Sequence, residues 1–273
     1  MTVQRQPGRE MLRVSGLGVV VRQRTGDRVL LRDVDFSLEQ GEIHGLVGES
    51  GCGKSLFARS LVRLESPARI VSGAILIDGI NVADQPVRTL APFRGKKITL
   101  VLQNPASTMD PVFPMASQFK DALSILPAPE RSMDRVYQLL EEVGIPSPEK
   151  RCRQYPHEWS RGMLQRAQLV MALLSNPEAM ILDEVTSALD PTIALQIIEL
   201  IARLKKNRQT AFVLITHDLA MAAHVCDRIS VMHQGTILET RDVDTLFKNS
   251  EHAYTREFIA GTGIHEEALC PIP

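Results

Sequence analysis

Eight consecutive residues, Gly48-Glu-Ser-Gly-Cys-Gly-Lys-Ser55, carry the densest chemistry in this chain. Their spacing is G-x-x-x-x-G-K-[ST]. The run before them, Ile43 to Val47, is apolar and suits a buried strand; Leu56 to Leu64 alternates apolar and polar groups as a helix does. A glycine-rich bend between a strand and a helix turns successive backbone N–H groups into one concavity that binds phosphate oxygens. The helix adds its own N-terminal N–H groups and the positive end of its dipole. Gly48, Glu49, Ser50, Gly51, Cys52, Gly53, Lys54 and Ser55 are therefore candidate phosphate contacts. Lys54 would place a charge at the β- and γ-phosphates, and the Ser55 hydroxyl would ligate magnesium. A glycine-rich turn with a chance lysine is the plainer alternative, and it leaves the flanking strand and helix unexplained.

Five stretches downstream could complete such a site. Asp183 and Glu184 end the apolar run Met180-Ile-Leu. An aspartate there can hold magnesium, and a carboxylate one residue later can act as general base toward water. Gln103 ends a second apolar run, where an uncharged amide could ligate magnesium or orient water. His217 follows a third and could hydrogen-bond a γ-phosphate. Glu158 to Arg166 (EWSRGMLQR) opens a helix with Ser160 and Gly162 at a terminus suited to anions. Asp190, before Pro191, reads as a helix cap and a contact point. Each of the last four has a bland reading as a solvated or capping residue. Cys52 sits among N–H groups and beside Lys54, which predicts a thiolate-prone, alkylatable thiol protected by ATP.

The elements that must position these residues follow from periodicity. Leu12 to Val14, Leu17 to Val19, Val29 to Leu31 and Val34 to Leu38 alternate as strands around turn residues Arg24 to Asp27, which predicts an N-terminal antiparallel β layer. Gly73–Gly79 and Lys97–Gln103 read as further strands. From about Pro105 to Gln154 the composition shifts to proline, methionine and polar residues, with an amphipathic helix over Ser132 to Val143; this predicts an inserted helical lobe at about 104–165. Arg161 to Leu174 is helical and stops at Asn176-Pro177. Strand Met180–Asp183, a helix from Pro191, strand Ala211–Thr216 and a hairpin around Gln234-Gly235 complete an α/β fold with a mainly parallel sheet.

Bulk properties exclude several classes. The 273 residues are 44% hydrophobic and 23% charged with a formal charge of -1, which gives no electrostatic basis for a nucleic-acid partner. No apolar run reaches the ~20 residues needed to cross a bilayer. The first ten residues lack a signal-peptide core. Cys52, Cys152, Cys226 and Cys270 are scattered, without metal or disulfide spacing. These features predict a cytosolic chain whose membrane link comes through partners.

In order and spacing the stretches resemble the nucleotide-binding subunit of an ABC transporter, over about Leu12 to Phe258. GESGCGKS resembles its Walker A motif, Met180 to Glu184 its Walker B with catalytic glutamate, and Gln103 its Q-loop. Ser160 to Met163 resembles its signature, Ser187 to Asp190 its D-loop, and His217 its switch histidine. VLQNP, YPHEWSRGMLQR and HAYTREF look like the peptide/nickel importer group. The resemblance implies a P-loop NTPase core, a nucleotide-binding domain over 10–260 and a short tail at 261–273. It implies ATP and Mg2+ held between one subunit's Walker A and a second ATPase subunit's signature, often that of a different chain. Two transmembrane permeases and an extracytoplasmic binding protein follow, with the ATPase at the cytoplasmic face of the cell membrane. The alternative is a soluble ABC-type ATPase of DNA repair or translation; no coiled-coil insertion, tandem domain or basic surface favours it.

Four departures stand out. Arg161 replaces the signature's first glycine, so the reciprocal ATP site is expected to be altered. Val185 replaces a common proline after the glutamate. Val21 occupies the place of an adenine-stacking aromatic, with Arg22 and Arg24 nearby. A cysteine cluster carried by many peptide importers is represented only by Cys270, which tilts the expected cargo toward nickel or a metal chelate over di- or oligopeptides.

Overall fold

The computed structural model describes residues 8–262, except Ala188. The chain opens with two long strands, β1 (Glu10–Gln23) and β2 (Gly26–Glu39), followed by β3 (Ile43–Val47) and α1 (Lys54–Leu61). β4 (Ala68–Ile77) and β5 (Ile80–Asn81) then return to β1, giving the antiparallel order β2-β1-β4-β5. This is the expected N-terminal layer, with one difference. The two segments at 29–31 and 34–38 form a single strand. Leu17 faces Val34 and Val19 faces Leu31, so β2 carries one extra residue between them, where Asp33 adopts φ 48°. Such a bulge turns backbone groups out of the ladder. Here it sends the Arg32 N–H to the Gly235 carbonyl at 2.9 Å.

β6 (Ile98–Val101) enters the main sheet. Helices α2 (Pro105–Thr108), α3 (Met115–Ser124), α4 (Met133–Glu142), α5 (Pro148–Cys152) and α6 (Arg161–Leu173) follow. The rest alternates: β7 (Ala179–Asp183), α7 (Pro191–Arg208), β8 (Ala211–Thr216), α8 (Leu219–Val225), β9 (Arg228–His233), β10 (Thr236–Asp242), α9 (Val243–Asn249) and α10 (Ala253–Gly261). The main sheet runs β10-β9-β3-β8-β7-β6, parallel except for β10. Every residue of β3, β7 and β8 is buried, because helices or the antiparallel layer cover both faces.

Alternation divides the core. Met180 and Leu182 of β7 pack with Phe119, Leu140 and Trp159 of the helical segment, while Ile181 packs with Leu17, Phe36 and Phe57 on the other face. The helical segment thus shares its core with the sheet, and α6 runs unbroken through residue 165. Ser132 caps α4 by accepting from the Asp134 N–H at 3.2 Å.

One polar residue lies in the floor of β3. His44 is fully buried, stacked on Phe36 with ring centroids 4.2 Å apart. Its Nδ1 donates to the Ser37 carbonyl and its Nε2 accepts from the Ser230 hydroxyl, both at 2.8 Å. Burial, then the nearby Arg228 guanidinium, pushes its pKa down to about 3.

Candidate active site

In a parallel sheet the ligand crevice lies beyond the carboxyl ends of the strands. β3 ends at Val47 and runs into the 48–55 loop. β6 leads to Gln103, β7 to Asp183 and Glu184, and β8 to His217. Because β3, β8, β7 and β6 are successive neighbours, four separated stretches of chain deliver their polar residues to one edge.

The loop is held from within and from below. Lys54 is buried, and its Nζ donates to the Gly48 and Glu49 carbonyls at 2.8 and 2.9 Å. The Cys52 carbonyl accepts from Gly235 N–H at 2.8 Å, so the β9–β10 turn straps the loop's far side. Gly48 cannot be replaced without a shift, since a Cβ there would lie 2.2 Å from the Met232 carbonyl oxygen. Gly53, at φ 118°, turns the chain into α1.

The Ser55 hydroxyl donates to Asp183 Oδ1 at 2.9 Å across 128 residues of sequence. Asp183 is buried; desolvation raises its pKa, and the bond from Ser55 acts against that rise. A cation would complete this pair: a hydroxyl and a buried carboxylate are hard oxygen donors that suit magnesium. Among the described residues no three His, Cys, Asp or Glu groups could hold a metal by themselves, so the remaining ligands would come from a bound phosphate and water.

Beside this pair lies a second. Gln103 Nε2 donates to Glu184 Oε2 at 2.7 Å and to Ser187 Oγ at 3.3 Å. His217 Nδ1 lies 3.8 Å from Glu184 Oε1, with the ring half exposed. Glu184 adopts φ 48°, a left-handed conformation that costs a residue with a Cβ about 1–3 kcal/mol. Its N–H donates to the Ile215 carbonyl at 3.0 Å, which ties the strained turn to β8. The carboxylate lies between Gln103 and His217, where it could act as a base toward water.

Ser160, Gly162 and Asp190 stand apart. Ser160 caps α6 by accepting from Met163 N–H at 3.2 Å, and Asp190 caps α7 by accepting from Ile193 N–H at 3.1 Å. Gly162 is required locally, as a Cβ would lie 2.8 Å from Ile193 Cγ2. Ser160, Arg161 and Asp190 are exposed. Among the described residues no hydrogen bond joins them to the phosphate loop. Val185 is buried; Arg22 and Arg24 are exposed beside the half-buried Val21. Cys270 and the 263–273 part of the tail lie outside the described residues.

One expectation is corrected. Cys52 is buried, and desolvation raises its thiol pKa more than Lys54, 3.9 Å away, and the loop N–H groups lower it. The neighbours were legible in the sequence; the burial was not. Ser187 was missed as a site residue. Its hydroxyl meets Gln103 and also donates to the Glu184 carbonyl at 3.0 Å. Its position three residues after a strand-end glutamate was the available signal. A cleft of about 950 Å3 lies elsewhere, beside Arg166, Arg203 and Cys226, and none of the candidate site residues lines it.

Comparison with known proteins agrees with this geometry. Residues 31–187 match the family model described as ABC transporter. The oligopeptide transport ATP-binding protein OppD of Lactococcus lactis subsp. lactis (strain IL1403) is 40% identical over 230 residues, covering 83% of this chain and 68% of that one. The dipeptide transport ATP-binding protein DppD of Lactococcus lactis subsp. cremoris (strain MG1363) is 36% identical over 250 residues, covering 90% and 72%. Among solved structures, the dimeric bacterial ABC transporter cassette MJ0796 superposes with a TM-score of 0.75 at 23% identity, covering 85% of this chain and 99% of that one.

Proposed function

The chain belongs to the ABC transporter family, and from that premise we propose that it is the ATP-hydrolysing subunit of a peptide importer. The observation that carries the chemistry is the pair of short contacts at one sheet edge, Ser55–Asp183 at 2.9 Å and Gln103–Glu184 at 2.7 Å, beside Lys54. The N–H groups of 48–55 would cradle the β- and γ-phosphates of ATP, and Lys54 would neutralise part of their charge. Ser55, Asp183 and the Gln103 amide oxygen would hold Mg2+. When bound, that ion would supply charge stabilisation to the transferring phosphoryl group. Glu184 would take the proton of the attacking water, and His217 would hydrogen-bond the γ-phosphate.

The exposed terminus of α6, with Ser160 and Gly162, and the cap at Asp190 would complete the ATP site of a second ATPase subunit. Their separation from the chain's own loop supports that assignment. The subunit would sit on two permeases at the cytoplasmic face of the membrane, fed by an extracytoplasmic binding protein. Among the described residues no helix is long and apolar enough to cross a membrane, so attachment would run through those partners. The domain would span 10–260, with residues about 104–165 as its permease-facing lobe.

The two curated relatives are named for oligopeptide and dipeptide transport, and this favours peptides over the nickel or metal-chelate cargo expected from the sequence. A soluble ATPase of DNA repair or translation has no observation in its favour. The deciding experiment reconstitutes the chain with its permeases in vesicles and measures ATP hydrolysis with a peptide-loaded or a nickel-loaded binding protein. Stimulation by peptide alone is expected; stimulation by nickel alone would overturn the cargo assignment.

A further inference from the structure

Tyr254 is the second residue of α10, and it reaches the phosphate loop from outside the sheet. The start of α10 is fixed firmly. The Glu239 carboxylate, buried in β10, accepts from Glu251 N–H at 2.9 Å and from His252 N–H at 3.1 Å. His252 caps the helix by accepting from Tyr254 N–H at 3.1 Å. The Tyr254 ring lies between His233, 4.0 Å away, and Phe258, 6.0 Å away. It also packs on the small core of Val47, Val231 and Leu246 below the loop. Its hydroxyl is buried and makes no hydrogen bond in this conformation. Burial first, then the Glu49 charge, pushes its pKa up to about 12, so the phenol keeps its proton as a donor available to Glu49.

An unsatisfied buried hydroxyl destabilises a fold, and replacing it by hydrogen should stabilise this one. Packing alone therefore gives phenylalanine an advantage over tyrosine here. The two flanks of the loop show what the hydroxyl can do. The Cys52 flank is tied to the β9–β10 turn through Gly235. The Glu49 flank is tied through the Lys54 ammonium, the same group that a triphosphate would engage. A second donor at Glu49 would hold that flank when the ammonium turns to phosphate.

We propose that Tyr254 is a positioning residue for nucleotide binding: from α10 its hydroxyl engages Glu49 and keeps the Glu49 flank of the phosphate loop in its phosphate-binding shape. The proposal rests on the reading that residues 48–55 bind the triphosphate. It makes the C-terminal helices part of the nucleotide site, although no residue after His217 contacts nucleotide under that reading.

The test uses the full chain, with Mg·ATP affinity and thermal unfolding measured for Tyr254→Phe, Glu49→Ala and the double variant. Loss of one such hydrogen bond should weaken ATP binding about 2- to 10-fold in Tyr254→Phe. Its unfolding temperature should hold or rise, and KM should change with kcat retained. Glu49→Ala should weaken binding similarly, and the double variant should be no worse than either. Affinity within twofold of the parent in Tyr254→Phe overturns the proposal, as does full additivity of the two losses. Should Tyr254→Phe fail to fold, a Glu49→Ala variant with parental affinity overturns it equally. Retained ATP binding in Lys54→Ala would instead overturn the reading of the loop itself, which keeps the two failures distinct.

Discussion

Two ends of the molecule are proposed to meet phosphate, and they are built in opposite ways. At the strand edge, loop 48–55, Asp183, Glu184, Gln103 and His217 are tied to one another by contacts within the chain, and Lys54 and Asp183 are buried. At the start of α6, Ser160 and Arg161 are exposed, and Ser160 bonds only to the backbone of its own first turn among the described residues. Under the proposed reading, the strand edge would supply its own base, cation donors and phosphate cradle. A capped, exposed helix terminus is prepared to meet something already bound elsewhere. The contrast fits the proposal that one wall of the strand-edge site comes from another subunit.

The sharpest way to break the contrast is at Glu184. Glu184→Gln keeps the shape and the contact with Gln103 but removes the base. ATP turnover should fall about 100- to 10,000-fold while ATP affinity is retained. Near-parental turnover in a steady-state phosphate-release assay would take the catalytic role away from Glu184. Lys54→Ala should follow in size. It would remove a charge-assisted contact to phosphate and leave the Gly48 and Glu49 carbonyls without the Lys54 donor. ATP affinity should drop about 10- to 100-fold by equilibrium binding. The same measurement on Ser160→Ala should show no loss in the isolated chain, because α6 does not touch the chain's own loop.

The strand edge should also show a pH signature that the α6 end lacks. His44 is held neutral beneath the loop with its pKa near 3, whereas the unfolded chain protonates it near the ordinary value of 6.5. Its contribution to stability is therefore complete above about pH 6.5 and is lost as pH falls toward 3. The loss should approach about 1.4 kcal/mol per pH unit within that window. Urea unfolding between pH 7 and 5 should show this slope in the parent and a shallower one in His44→Gln. Equal slopes would mean that burial and the Arg228 guanidinium do not hold the ring neutral.

Much of this was legible because the governing physics is local. Strands β3, β7 and β8 read as continuous apolar runs since both their faces are covered. Ser160 and Asp190 read as caps since a side-chain oxygen before a helix satisfies N–H groups within three residues. What was hidden depends on distant parts of the chain. The bond between Ser55 and Asp183 exists because β3 and β7 both flank β8. The upward shift of the Cys52 thiol comes from burial that its neighbours in sequence do not reveal. The merging of two predicted strands into β2 reflects its pairing with β1 on both sides of the bulge at Asp33. Tyr254 was quoted only as part of a motif; its place beside Glu49 follows from the anchoring of α10 on Glu239.

The smallest expected effect probes the α6 end itself. Gly162 is fixed by Ile193, so Arg161 is the residue free to vary at that terminus. A guanidinium at the first helical position opposes the helix dipole by about 0.3–1 kcal/mol and adds bulk where N–H groups would approach phosphate. Arg161→Gly should leave ATP affinity of the isolated chain within about twofold, since α6 and the loop are unconnected. In the assembled transporter, with this chain's loop disabled by Lys54→Ala, turnover reports the reciprocal site alone. There Arg161→Gly should raise turnover about 2- to 5-fold, the equivalent of that opposition. A fall of similar size would make the guanidinium a contact to the partner's phosphate. No change would detach α6 from nucleotide chemistry and leave the strand edge as the molecule's one phosphate site.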